Sequence, residues 1–504
     1  MSGRKFEARW HPSGRMGAFF SSDPNSLRCA WTDGADTRWD GKVVIGPEFG
    51  TIDVTSVGSS VNVKCQAVVQ DASGNPYIYV SRGTGVAKIE PSTMTLITAG
   101  AAVAGPGAAI TSMIATKAPN GAWTLSIFDG TNAYQVRTAI AVASEADTAS
   151  TNDESSLAKV AYAADDNDRV YAIENLSTTK GWTVMRNVLS TSVNMDASNW
   201  VHVSSLSAGA TPTSMSITED LLIVGTDKGP QILNLVSGKF LLDIARVTKL
   251  STNCLAMVFV DWLGVVMGVE NQIRVQAGAD SRRIGPSLWI GNNGGIQGRM
   301  QGVSFDPTYL YCAVRNPVTS VTYFLMARPG NDPGEDGLEW HCIGNQTEDC
   351  EMFAYWGTVD GDRTQPVFGG GKGTDAVWYA LAGRTNNWLD DTAYRFQTNK
   401  DYTWYGTELR LNKPARLTGW RIEGSSMSAT QTITLKALVS GNRNAAETRT
   451  VGIKSIDGWE RFDVPMNNIP AGTRFQPQMV LRTAASTASP TVVGDIVLEF
   501  EEVA

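Results

Sequence analysis

Between residues 60 and 400 one hydrophobic pattern returns again and again. An alternating apolar run is followed by a short polar turn, a second apolar run, another turn and a third run. CQAVVQ-DASGNP-YIYVS-RGTG-VAKIE, from Cys65 to Glu90, is the clearest copy. Later copies begin at Ile110, Ala158, Pro212, Leu255, Met300 and Cys350. The middle runs centre on Ile78, Leu125, Tyr171, Leu222, Val265, Tyr311 and Val367. Their spacing, roughly 43 to 56 residues, is that of one four-stranded propeller blade. Alternation with period two marks strands whose two faces meet different neighbours. The pattern predicts an all-β chain with a β-propeller of about seven blades over residues 51–395, six being the alternative count.

The flanks differ from the repeat. Residues 1–50 hold Trp10, Phe19, Phe20, Trp31 and Trp39 among turn residues. An arm this apolar is expected to bury its aromatics against protein. It either docks on a neighbouring subunit, or caps its own propeller or supplies the last blade's missing strand. Residues 396–504 read as seven or eight strands with Asn, Gly, Ser and Pro turns, a count that suits a jelly-roll-like β-sandwich. The linker falls around Thr398.

Composition narrows the classes. Of 504 residues 42% are hydrophobic and 18% charged, enough to build a large core. The net charge is −8, and basic residues are dispersed, the densest clusters being as short as Arg282 and Arg283. A groove-type nucleic-acid binder would show a basic stripe. The N-terminus lacks the apolar stretch of a secretory signal, and no run approaches the length of a membrane span. The expectation is assembly in a cytoplasm with no membrane insertion. The six cysteines form no CxxC pair. Cys65, Cys254 and Cys350 open the first strand of three repeats and read as buried free thiols; Cys342 and Cys350 could meet across a hairpin.

Candidate chemistry is sparse. His11, His202 and His341 lie in unrelated segments, and no G-x-S-x-G elbow frames a nucleophile. The run VFGGGKGTD, residues 367–375, lacks the spacing of a phosphate loop and reads as a turn between blade strands. Asp165, Asp166, Asn167 and Asp168, and the Asp360-Gly361-Asp362 run, resemble fragments of calcium loops without the full pattern. Both sit at the turn between first and second strands, where turn chemistry explains them. STTKGWT at Ser177 lacks the Asp of a sialidase turn. Trp123, Trp182, Trp262, Trp378 and Trp420 lie in strand runs and read as core; Trp388 and Trp404 are the better candidates for exposed surfaces. The expectation is that no residue is catalytic or binds a metal or cofactor, and that the chain is not an enzyme.

The phrases YIYVSRGTGVAKIE, LLIVGTDKGPQIL and AYRFQT, followed by WYGTELRLNKPARLTGWRIEG, resemble structural proteins of tailed bacteriophages, including the tail nozzle proteins of short-tailed phages. That resemblance covers the layout of residues 51–504. It implies a virion tail protein assembled in the bacterial host cytoplasm. It further implies a hexameric homo-oligomeric ring docked on other tail proteins such as an adaptor, with DNA as non-specific passing cargo. Two other classes stand beside it: a receptor- or host-surface-glycan-binding virion protein, and a propeller-fold glycan-degrading enzyme.

Overall fold

The computed structural model describes residues 4–10, 20–21, 29–37, 42–46, 49–57, 63–70, 76–90, 95–98, 108–117, 123–128, 133–137, 148–154, 159–164, 169–175, 181–187, 200–218, 220–241, 247–277, 280–285, 298–305, 308–329, 338–347, 353–359, 363–370, 376–381, 401–425, 431–439, 448–452, 459–483 and 492–503. Every regular element among them is a β-strand.

Most of the strands fall into four-stranded antiparallel sheets. The first sheet is Val63–Gln70, Pro76–Arg82, Gly85–Glu90 and Thr95–Thr98. The second is Ser112–Lys117, Trp123–Phe128, Ala133–Arg137 and Thr148–Glu154, and the third Lys159–Ala164, Val170–Asn175, Trp182–Asn187 and Trp200–Ser205. The fourth is Pro212–Ile217, Leu221–Thr226, Gly229–Asn234 and Lys239–Phe240, and the fifth Met257–Val260, Gly264–Val269, Gln272–Ala277 and Asp280–Arg283. Arg299–Phe305, Leu310–Arg315, Thr322–Pro329 and Leu338–Gln346 make the sixth. The seventh joins Phe353–Val359, Arg363–Gly370 and Ala376–Leu381 to Phe49–Asp53 from the N-terminal segment.

The arrangement is propeller-like. The first strand of one sheet lies against the first strand of the next, from Val63–Gln70 through to Phe353–Val359. Five of these meanders, spanning Ser112 to Gln346, follow one another as blades, and the seventh sheet is where the chain's N-terminal part re-enters, through Phe49–Asp53. Each of the repeat centres read from the sequence lies on the second strand of its sheet. Those strands are buried on both faces, as in Val170–Asn175, Leu310–Arg315 and Leu221–Thr226. The reason is position: a second strand is covered by the sheets before and behind it, so both sets of alternating side chains lose water. Each fully buried Leu, Ile or Val there contributes about 1.5–3 kcal/mol relative to exposure. The fourth strand of the third sheet, Trp200–Ser205, is by contrast mostly exposed.

The remaining strands form one twelve-stranded, partly closed sheet. Seven come from the C-terminal part: Asp401–Gly406, Glu408–Ser425, Gln431–Val439, Thr448–Gly452, Trp459–Pro465, Gly472–Thr483 and Val492–Glu502. Five come from the N-terminal part: Lys5–Trp10, Phe20–Ser21, Cys29–Asp33, Ala35–Asp36 and Val43–Ile45. Lys5–Trp10 runs antiparallel to Val492–Glu502, and Cys29–Asp33 to Asp401–Gly406. The long strand Glu408–Ser425 changes partners along its length, pairing with Trp459–Pro465, Gly472–Thr483 and Val492–Glu502.

Two expectations need correction. Residues 396–504 do not stand as a self-contained sandwich, because hydrogen bonds run unbroken into the strands of the first 45 residues. Trp404 is not a surface residue but fully buried. Its strand lies between Cys29–Asp33 and Gly472–Thr483, and a Cβ on Gly406 would lie 2.8 Å from the Trp404 ring and 3.1 Å from that of Trp10. The two indoles close over a position where only hydrogen fits. Trp10 and Trp31 are buried as the arm's composition implied, and Trp39 lies outside the described residues.

The N-terminal strands also tie the large sheet to the sixth small one. Trp31 packs edge-on against Tyr323, with ring centroids 5.2 Å apart. Thr32 Oγ1 donates to the Cys342 carbonyl at 3.3 Å, and Asn345 Nδ2 donates to Asp33 Oδ1.

Candidate functional site

The histidines do not converge. His11 is outside the described residues. His202 is exposed on the third sheet's outer strand, with Nε2 3.4 Å from Ser205 Oγ. His341 is buried in the sixth sheet, with Nδ1 2.9 Å from Thr37 Oγ1. Asp165 to Asp168, Asp360 to Asp362, the glycine-rich run from Gly371, Ser177 and Trp388 fall outside the described residues. The strands on either side of the acidic runs and of the glycine-rich run pair antiparallel. Cys29, Cys254, Cys312 and Cys342 are buried free thiols, so Cys342 is not bridged to Cys350. Among the described residues no group of three or more His, Cys, Asp or Glu is placed to hold a metal ion.

What the structure does build is a cleft of about 510 Å³ between the fourth and fifth sheets. Its floor is Ile223 and Ile232 from one sheet and Phe259 and Val265 from the other. Ile223 and Ile232 are cross-strand partners, and the Leu241 N–H, just past the strand Lys239–Phe240, donates to the Ile232 carbonyl. Leu241 remains 45% exposed, carrying the apolar floor outward to the sheet edge. Phe259 is only partly buried. The polar lining groups are Thr218 and exposed Asp220 in the turn at the mouth, and buried Gln276 on the wall.

The rim is held by local turns. Thr218 N donates to the Leu221 carbonyl at 2.8 Å, and Leu221 N to Thr218 Oγ1 at 3.2 Å. Leu235 N donates to the Asp220 carbonyl at 2.9 Å, fixing the neighbouring hairpin. Gly264 has φ +114°, and a Cβ there would sit 2.7 Å from the Gln276 carbonyl, so the wall requires glycine.

At the opposite end of the same two sheets a polar tie sets their separation. Asn253 Nδ2 donates to the Asp227 carbonyl at 3.0 Å and the Thr248 carbonyl at 2.9 Å, while Asn253 Oδ1 accepts from Glu270 N at 2.9 Å. Asp227 and Glu270 sit in the turns between second and third strands. The Glu270 carboxyl is held below its usual range chiefly by the Thr248 N–H, at 2.7 Å. Burial pushes the Asp227 carboxyl up, but the Thr211 N–H and Lys249 outweigh it and leave it lowered.

Chemically the cleft is an apolar slot with one exposed carboxylate at its mouth. It can hold an aliphatic or aromatic group and place a cation on Asp220. Its lining contains no nucleophile and base in the paired arrangement that acyl transfer or glycoside cleavage requires. No residue of it stood out in the sequence, because Ile, Val and Phe at these positions read as ordinary core. The signal that could have pointed there is the shortness of the fourth sheet's outer strand, Lys239–Phe240, which leaves Leu241 uncovered.

No family model matches the chain, and no curated protein matches it. Solved structures match the chain only at low identity. The CNH domain of AfRom2 is 11% identical with a TM-score of 0.37, covering 68% of this chain and 100% of that one. An extracellular domain from B. thetaiotaomicron described as part of a hybrid two-component system is 9% identical with a TM-score of 0.43, covering 92% of this chain and 63% of that one. A second structure of such a domain, described as part of a one-component system, is 10% identical with a TM-score of 0.35, covering 71% and 52%.

Proposed function

We propose that this chain is a non-enzymatic structural protein of a bacteriophage virion, a tail component of the nozzle type that assembles as a homo-oligomeric ring around the DNA exit channel and docks on an adaptor-like tail protein. In this reading the seven four-stranded sheets are the seven blades of one closed ring, and the twelve-stranded sheet takes the place of the jelly-roll module.

The observation that carries the reading is how the chain ends are used. Phe49–Asp53 completes the seventh sheet, and Ile52, Val54 and Val57 pack on Ile78, Val80, Ala87 and Ile89 of the first sheet. The same N-terminal segment has already supplied five strands to the large sheet. Opening the ring therefore means breaking two sheets together, which suits a part under mechanical load. Closure also removes the edge strands that would otherwise pair with other chains. An acidic chain, with a net charge of −8, is suited to let a polyanion pass without the counterion release that basic groups would bring about.

The test is projection imaging of the purified chain and of the assembled particle. A ring whose channel admits duplex DNA, with a neutral or carboxylate-lined lumen, is the expected result. A lumen dominated by Lys and Arg, no channel, or polysaccharide hydrolysis by the purified chain overturns it.

A further inference from the structure

The most exposed large apolar side chain among the described residues is Val318, at 89%. It stands on the 316–320 turn between Leu310–Arg315 and Thr322–Pro329, beside exposed Pro317. This turn is rigidly built. Asn316 Oδ1 accepts from Val318 N at 2.8 Å and Thr319 N at 3.2 Å, and Ser320 N donates to the Asn316 carbonyl at 2.9 Å. A knob already held in place by its own turn loses little freedom when a partner covers it, so its burial in a contact is favoured.

The slot between the fourth and fifth sheets has the complementary properties. Leu221 and Phe259 line it only partly buried, and Val236, 80% exposed, stands on the hairpin whose Leu235 bonds the Asp220 backbone. Its one charged lining group is the carboxylate of Asp220. At the base of the knob is Arg315, whose guanidinium reaches Thr322 Oγ1 at 3.3 Å and the Thr347 carbonyl at 3.5 Å.

Topology forbids a chain from filling its own slot. The knob's turn joins second and third strands, and the rim turn at Asp220 joins first and second strands. Alternate turns of a meander project from opposite ends of a sheet, so knob and slot lie on opposite faces of the propeller-like body. We propose that the slot receives the Pro317–Val318 knob of a second copy of this chain, with Arg315 of that copy against Asp220. The contact is head-to-tail, so it repeats from copy to copy and closes into a ring where the rotation permits. This inference rests on the homo-oligomer reading above and assigns it a contact.

Sedimentation velocity on the full chain and two variants tests it. Wild type should form a multi-copy assembly, and Val318→Asp and Asp220→Arg should each weaken association roughly ten-fold or more, as loss of a central apolar or charged anchor does. Both substitutions are at exposed positions, and an unchanged melting temperature checks that the fold survives. The decisive arm mixes the two variants. The Val318→Asp copy keeps an intact slot and the Asp220→Arg copy an intact knob, so the mixture should give one-to-one dimers and nothing larger. An assembly unaffected by either variant, or a mixture that forms no dimer, overturns the knob-in-slot contact while leaving the ring reading standing. A wild type that remains a monomer overturns both.

Discussion

The indole Nε1–H of Trp10 donates to both the backbone carbonyl and the hydroxyl of Thr407, each at 3.2 Å, across 397 residues of sequence. Trp10 is fully buried and packs at the join of the chain's two ends. Trp10→Ala removes the ring and the donor together, so a loss of about 3–5 kcal/mol is expected. Trp10→Phe keeps most of the apolar volume and should cost less, about 1–3 kcal/mol from the unmet acceptors. Urea unfolding of both variants checks this; a Trp10→Phe variant as stable as wild type would show that the hydrogen bonds contribute nothing, and equal losses that the ring volume does not matter.

Arg421 binds Glu7 through Nη2 at 2.7 Å and Nη1 at 3.2 Å, and reaches Glu499 at 3.5 Å. Glu7 and Glu499 are direct cross-strand partners, so one guanidinium separates two like charges. Its hydrogen bond is the chief reason that the Glu7 carboxyl is held below its ordinary value of 4.5. With the folded value depressed, this stabilisation is fully present above the unfolded value and is lost as pH falls through the folded one. Glu7 is 54% exposed, so screening limits the effect to a few tenths of a kcal/mol, roughly the scale of exposed pairs. Glu7→Gln should lower stability at about pH 7 and make no difference at about pH 2. An equal loss at both pH values would contradict the assignment.

Asn253 uses both amide hydrogens and its oxygen to tie the fourth and fifth sheets. Asn253→Ala leaves buried carbonyl and N–H groups unmet, a loss of about 1–3 kcal/mol. Asn253→Asp should do no better, since a carboxylate can accept from Glu270 N but cannot donate to the two carbonyls. Denaturant midpoints decide it: a neutral Asn253→Asp would show that only the Glu270 bond matters.

Burial pushes the thiols of Cys29 and Cys254 up to about 12. The thiolate is the reactive species, so both should resist alkylation at neutral pH. Mass-spectrometric mapping after iodoacetamide treatment should find them unmodified in the native protein and modified in urea. Alkylation of either thiol under native conditions would show that it is reachable from solvent.

The sequence revealed the repeated sheets because a second strand covered on both sides must be apolar at nearly every position. GVVMGV and LYCAVR show this, and each centre read from the pattern lies on such a strand. Fourth strands were less legible. In WVHVSS one residue of six is buried, and KF is two residues long. An outer strand has a neighbour on one edge and water on the other, so its alternation is weak. The slot was illegible for the opposite reason: Ile223, Ile232 and Val265 look like any core, and only a missing neighbour makes a slot of them.

What the chain determined alone is therefore local: strand periodicity and the apolar character of the first 50 residues. Only the tertiary structure decided where distant runs meet. Lys5–Trp10 and Val492–Glu502 carry ordinary alternation that any antiparallel partner would satisfy. Nothing within either strand names the other, because backbone hydrogen bonds are the same for every sequence. The choice is made by side chains that meet only in the folded chain: Phe6 stacked on Phe500, Trp10 on Thr407, and Ile52 closing against Ile78.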